Sequence, residues 1–308
     1  MKHKKRFLPY ISSLISSSIF GLSFLFSKKA LNITDPFTLL SLRFLIAFII
    51  MSVLAVFKII KISYKGKPML TLTLLALMEP ITYFIFENYG IKFSSSSEAG
   101  LMIALIPIAV AILSAYFLKE KLSVKQTISI IISVAGVTLI GIMDTSSKGQ
   151  NSKLGILLLV GAIVTAGVFT ILSRKLSTIF TPIEITYYMM FLSALFFNCI
   201  SIILHVKNHN LDTYFNVLTN KDLLSSVVYL GILSSIVAYF LTNYTLSKVP
   251  ASISATFSNL STIVSIVAGV VFLNEQFKLF QLIGSFLIIV GVWGTNMFSL
   301  RQNPKTEG

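Results

Sequence analysis

The chain has 308 residues, of which 55% are hydrophobic and 12% charged, with a mean hydropathy of +0.86. A soluble domain is about 45–50% apolar and about 25% charged, so this composition belongs in a lipid bilayer. The net charge of +14 does not indicate a nucleic-acid partner, because the lysines gather at the ends of apolar runs and act there as topology signals.

In chain order, ten stretches come close to the ~20 residues needed to cross ~30 Å of hydrocarbon. They are 8–28, 36–57, 69–91, 96–118, 125–143, 153–173, 182–204, 223–246, 250–273 and 278–298. The first follows the basic segment Met1 to Arg6 and has no small-x-small cleavage site, so it reads as an uncleaved helix. A spanning strand would need only about ten residues of alternating pattern, whereas a helix satisfies its own backbone in lipid. The expected fold class is therefore all-α, a polytopic membrane protein. With the N-terminus inside, the predicted inner segments hold sixteen Lys and Arg and the outer segments eight. That bias predicts a plasma-membrane protein with both termini cytoplasmic.

The chain also repeats itself. Asn88-Tyr89 returns as Asn243-Tyr244, Ser97 as Ser252, Phe117-Leu118-x-Glu120 as Phe272-Leu273-x-Glu275, and Gly136-Val137 as Gly291-Val292, all at an offset of 155. Gly21, Ser27-Lys28-Lys29 and Pro36 return as Gly167, Ser173-Arg174-Lys175 and Pro182 at an offset of 146. Two related halves, 8–143 and 153–298, are expected, divided by the polar linker Asp144 to Ser152. Helices 1–5 begin inside and helices 6–10 begin outside, which makes the repeat inverted.

Ionisable residues inside the membrane are costly and point to function by default. Glu79, Tyr83 and Glu87 are four apart, on one face of helix 3. Glu79 falls near the midplane, where a carboxylate must be protonated, paired or facing water. It suits a proton carrier or a binder of substrate amines, or a structural hydrogen bond from a protonated Glu. Arg43 in helix 2 and Glu87 fall at similar depth below the outer boundary, and would form either a structural ion pair or an outer gate. Tyr239 and Thr242-Asn243 share a face of helix 8, and Asn259 with Ser252, Thr256 and Thr262 makes helix 9 too polar to face lipid. Tyr83, Tyr239, Asn243 and Asn259 join Glu79 as substrate-binding candidates, with interhelical hydrogen bonding as the alternative. The stripe Ser13, Ser16-Ser17, Phe20, Ser23 and Ser27 on helix 1 is close packing or cavity lining.

Other groups have simpler expectations. Asp35 before Pro36, Ser95-x-x-Glu98 and Thr181-Pro-x-Glu184 read as helix caps. Glu120 and Glu275 sit at symmetry-related helix exits and read as structural or gating. Tyr187 and Asn198 on helix 7 are weaker site candidates. Ser129 with Gly284 and Gly136 with Gly291 let helices 5 and 10 approach closely, within the monomer or across a homodimer. Trp293 reads as an interfacial anchor. Cys199 cannot form an intramolecular disulfide, and His3, His205 and His209 make no zinc-like group with it. No metal or cofactor is expected, and no nucleotide-binding loop, nucleophile elbow or His-Glu-x-x-His motif is present.

Gly21 in helix 1, Pro36 and Arg43 in helix 2, the Ser-rich start Ser94 to Ser97, Pro107 in helix 4 and the Leu118-Lys-Glu120-Lys-Leu122 exit, with their second-half counterparts, resemble the drug/metabolite transporter superfamily, specifically its ten-helix EamA-domain family. Members often carry Trp before the helix 1 glycine and Arg after the helix 4 Glu, where this chain has Phe20 and Lys121. The resemblance implies a central cavity lined by helices 1–4 and 6–9, with helices 5 and 10 outside it. It also implies export, of amino acids or related metabolites. The expected function is a secondary transporter moving a small-molecule substrate through the bilayer by alternating access, with Glu79 as the proton or amine partner. The alternatives are a lipid- or glycan-carrier translocator and an intramembrane enzyme.

Overall fold

The computed structural model describes residues 2–94, 96–117, 123–143, 151–209, 214, 219–249, 251–274 and 278–302. Among them every regular element is helical. The helices are α1 Lys2–Leu31, α2 Pro36–Val56 and α3 Met69–Phe93, followed by α4 in two pieces, Ser96–Ile103 and Ile106–Phe117, and α5 Val124–Met143. Then come α6 Asn151–Leu176, α7 Pro182–Lys207 and α8 Lys221–Lys248, α9 in two pieces, Ala251–Thr256 and Ser258–Leu273, and α10 Leu279–Gln302. Six of the ten are long and apolar enough to cross a membrane, and α4, α5, α9 and α10 carry shorter apolar stretches. The protein is an all-α polytopic membrane protein, as its composition predicts. Apolar side chains such as Leu70, Leu157 and Phe286 face outward, the pattern of a surface solvated by lipid. Ser95, Glu120 and Glu275 lie outside the described residues, as do the side chains of Glu98, Ser252, Thr256 and Asn259.

The predicted caps explain where helices begin. Asp35 Oδ1 accepts from the amides of Phe37 at 2.9 Å and Thr38 at 3.1 Å, with Pro36 in the first turn. On α7, Thr181 and Glu184 cap one another reciprocally. Glu184 does more than cap: it accepts from the Ser63 amide at 3.0 Å and from Lys67 Nζ at 2.6 Å, tying the α2–α3 loop to α7. Tyr64 in that loop donates to the Glu184 carbonyl at 2.8 Å, and burial, then the Glu184 carboxylate, pushes its phenol up.

The packing exchanges partners between the halves. α1 packs on α8 and α9 while α6 packs on α3 and α4, and α2 meets α7, α4 meets α9 and α5 meets α10. Hydrogen bonds give the relative directions. Lys28, near the C-terminal end of α1, donates to the Ile91 carbonyl at 2.8 Å and to the Ser94 carbonyl at the end of α3. Its counterpart Arg174, near the end of α6, donates to the Leu246 carbonyl of α8 at 2.6 Å. Thr245 of α8 donates to the Pro9 carbonyl at 3.1 Å, so the end of α8 lies beside the start of α1. The C-terminal ends of α1 and α6 therefore lie at opposite ends of the bundle, and the two helices run in opposite directions.

The α5–α10 seam lies within the chain. A Cβ on Gly136 would stand 2.7 Å from the Gly284 carbonyl oxygen, and one on Gly291 would stand 2.5 Å from that of Ser129. Only glycine permits this approach.

Candidate functional site

α3 and α8 both depart from regular α-helix midway, and at corresponding places. Wide turns occupy Leu77–Thr82 in α3 and Tyr229–Ala238 in α8, and the offset of 155 carries the first stretch inside the second. In α3 the cause is Pro80, which lacks an N–H and crowds the preceding turn. Glu79 just before it is extended at φ −146° and ψ 122°, and the Tyr83 amide reaches back five residues to the Met78 carbonyl. α8 continues as one helix through its wide turns, whereas α3 is interrupted at Glu79, and irregular backbone at membrane depth is tolerated only where protein or a cavity satisfies it.

Beside the interruption in α3 lies a cavity of about 110 Å³. α1 contributes Ser13, Ser16, Ser17, Phe20, Ser23 and Phe24, and α3 contributes Glu79, Tyr83, Phe84 and Glu87. α6 adds Ala166, Phe169 and Thr170, α8 adds Tyr239, Thr242 and Leu246, and residues of α4 and α9 close it. The helix 1 serine stripe is thus cavity lining as far as Ser23. α2 and α7 do not line the cavity, contrary to what the resemblance implies: they pack against each other behind it. Thr170 and Phe169 are not among the sequence-predicted residues, and Thr242 is predicted only as sharing a face of helix 8 with Tyr239. Phe169 is two residues past the repeat glycine Gly167, but nothing in the sequence orients it or Thr170 inward.

Glu79 and Tyr239 meet across the halves, with the Tyr239 hydroxyl donating to Glu79 Oε1 at 2.7 Å. Glu79 is 8% exposed, and its second oxygen, Oε2, has no hydrogen-bond partner. Tyr83 donates to Glu87 Oε1 at 3.0 Å, and Asn88 Nδ2 to Glu87 Oε2 at 3.4 Å. The predicted face of α3 therefore carries two sets of buried polar groups, Glu79 bonded to Tyr239 of the other half and Glu87 bonded to Tyr83 and Asn88.

Two expectations are corrected. Arg43 does not form an ion pair with Glu87. Its Nε donates to Ser235 Oγ at 2.8 Å and an Nη to Ser234 Oγ at 2.9 Å, and its guanidinium lies 4.0 Å from the centre of the Phe84 ring. Ser234 and Ser235 are the second-half counterparts of Glu79 and Pro80, so Arg43 braces the wide-turn stretch of α8. Glu87 acts on it only through space. Asn243 is the second correction, because it does not line the cavity. Its Oδ1 accepts from Ser173 Oγ at 2.8 Å and its Nδ2 donates to Thr186 Oγ1 at 3.0 Å, which joins α6, α7 and α8. Asn259 falls outside the described side chains. Asn198 spends its amide on Ser41, Ala194 and Tyr214, between α2 and α7, and Tyr187 lies 3.3 Å from Ser52 Oγ.

Asn243 has a mirror counterpart with a different status. The repeat pairs Ser27 and Asn88 with Ser173 and Asn243, yet Asn88 Oδ1 is buried without a partner. One half closes its Ser–Asn bond and the other leaves it open. Truncating a buried, bonded group costs about 1–3 kcal/mol in orphaned partners. Asn243→Ala should therefore lower the thermal unfolding midpoint of the detergent-purified protein clearly, and Asn88→Ala much less. Equal losses would mean that the two bonds are equivalent.

Comparison with known proteins gives the same picture. The model of the EamA-like transporter family matches residues 8–142 and 153–297. The "Uncharacterized transporter YcxC" of Bacillus subtilis (strain 168) is 38% identical over 299 residues, covering 97% of this chain and 96% of that protein. A "Probable terminal-alkyne amino-acid exporter" of Streptantibioticus cattleyicolor is 25% identical over 228 residues, 73% of each chain. A crystal structure superposes with a TM-score of 0.62 at 17% identity, over 95% of this chain and 99% of the other, a likeness of fold alone.

Proposed function

Because the chain belongs to the EamA-like transporter family, we propose that it is a secondary active exporter of small organic metabolites such as amino acids, working by alternating access across the cytoplasmic membrane with both termini inside. The carrying observation is Glu79, a buried carboxylate with one unpartnered oxygen, at the interruption of α3 and lining a cavity to which helices of both halves contribute. A site shared by two oppositely directed halves is what rocking of one half against the other requires. The printed name of the Streptantibioticus cattleyicolor relative supports export and amino acids as the substrate class.

Cavity size favours a metabolite over a lipid or glycan carrier. At roughly 10–15 Å³ per water position, about 110 Å³ corresponds to a ligand of about ten non-hydrogen atoms. That is the scale of an amino acid, and far below a carrier lipid. Proton exchange at Glu79 would supply the driving force, since a carboxylate in this position binds either substrate or proton.

The test is counterflow in proteoliposomes loaded with unlabelled amino acid mixtures. Uptake of labelled solute that depends on the protein and collapses without internal substrate supports the reading. Equal uptake in protein-free vesicles across amino acids and their relatives would remove it.

A further inference from the structure

We propose that the cavity recognises an ammonium group and holds no cation to receive a carboxylate, so that among small metabolites it prefers organic amines, amine relatives of amino acids included, to zwitterionic amino acids. The inference rests on the transporter reading and narrows its substrate class.

Among the described lining residues the charged side chains are Glu79 and Glu87, and there is no Lys, Arg or His. Five of the lining hydroxyls spend their protons on the protein, while Ser13, Ser17 and Thr242 show no acceptor among the described residues. Ser16 donates to the Ser13 carbonyl at 3.0 Å, Ser23 to that of Phe20 at 2.6 Å and Thr170 to that of Ala166 at 2.8 Å. Tyr239 and Tyr83 donate to the two glutamates. A hydroxyl committed in this way shows only lone pairs to a ligand, so these groups present an array of acceptors around the unpartnered Glu79 Oε2.

An ammonium has three donors and no acceptor, which complements that array. A carboxylate has only acceptors and would meet Glu79 and Glu87 with no cation on the wall to offset them. Arg43, the cation that could have received it, lies outside the lining and is held by Ser234 and Ser235. The rest of the wall suits an apolar body. Phe20 stands edge-on to Tyr239 at 5.4 Å between centres and Phe169 at 6.2 Å, and aromatic faces near the carboxylate add attraction for a cation.

Three ligands with the same ring separate the possibilities: 2-phenylethylamine, L-phenylalanine and 3-phenylpropionate, titrated calorimetrically against the full chain in lipid nanodiscs. The amine should bind at least tenfold more tightly than either of the others. Glu79→Gln should weaken it at least tenfold, and Glu79→Asp should keep the preference. Equal or tighter binding of phenylalanine or phenylpropionate overturns the inference, as does no binding by any of the three. If Glu79→Gln fails to fold, the ranking on the unaltered protein still decides. Flux of phenylalanine with no amine preference would remove this inference and leave the transporter reading. Amine binding with no flux of any solute would do the reverse.

Discussion

Glu79→Gln is expected to fold, to lose substrate flux by roughly ten- to a hundredfold, and to lose the pH dependence of whatever flux remains. Glutamine keeps the oxygen that accepts from Tyr239 and has nearly the same volume, so the packing around the break in α3 survives. What changes is the other position, where the unpartnered Oε2 becomes an NH₂ donor and the charge is gone. A hydrogen bond to a charged group contributes about 1.5–3 kcal/mol, and each 1.4 kcal/mol is tenfold, which sets the size of the loss. Initial rates in proteoliposomes over a range of pH measure both effects. Unchanged rates with an unchanged pH profile would remove Glu79 from substrate binding and from proton exchange together.

Arg43→Met should produce the largest stability loss, about 3 kcal/mol or more, by analogy with breaking a buried charge network from one side. Arg43 is fully buried, hydrogen-bonded to two hydroxyls and stacked on Phe84. Methionine fills part of the volume, but it strands Ser234 and Ser235 and leaves Glu87 without the cation acting on it through space. Adding Glu87→Gln should recover part of the loss, because the uncompensated carboxylate goes with it. Arg43→Lys should fall between, keeping the charge and losing the two-pronged hold on α8. Thermal unfolding of the four proteins in one detergent reads this as a double-mutant cycle. Strict additivity of Arg43→Met and Glu87→Gln would show that the two charges are not coupled.

Much of this architecture was legible in the sequence for a simple reason. Crossing a bilayer demands long apolar runs, and reversing a helix demands caps, so the ten helical stretches, six of them long and apolar enough to span, and the caps at Asp35 and Thr181 could be read directly. The face carrying Glu79, Tyr83 and Glu87 followed from helical spacing alone. Spacing names a face but not what lies opposite it, and this is where expectation and structure part. Arg43 and Glu87 share a depth, yet Arg43 turns to Ser234 and Ser235, which are presented to it at the wide turns in α8. No proline in Tyr229–Ala238 announces those turns. Asn243 looked like a ligand contact because it lies next to Thr242 on a polar face, and only its bonds to Ser173 and Thr186 show that it knits three helices together. The preference for amines rests on a wall that holds Glu79 and Glu87 and leaves Arg43 behind it, an outcome of helix packing that no residue pattern encodes.

The unequal Ser–Asn pairs give the account its sharpest exposure to test. If the halves exchange conformations during transport, the Ser27–Asn88 bond forms as the Ser173–Asn243 bond opens, and the cavity changes the face from which it is reached. A cysteine placed at Ser17, in a Cys199→Ser chain, reports this through labelling by a membrane-impermeant thiol reagent applied to one face or the other. The account predicts labelling from both faces, protection by bound substrate, and opposite shifts in the balance when Asn243→Ala or Asn88→Ala is added. Labelling from a single face in all three chains would contradict alternating access around this cavity.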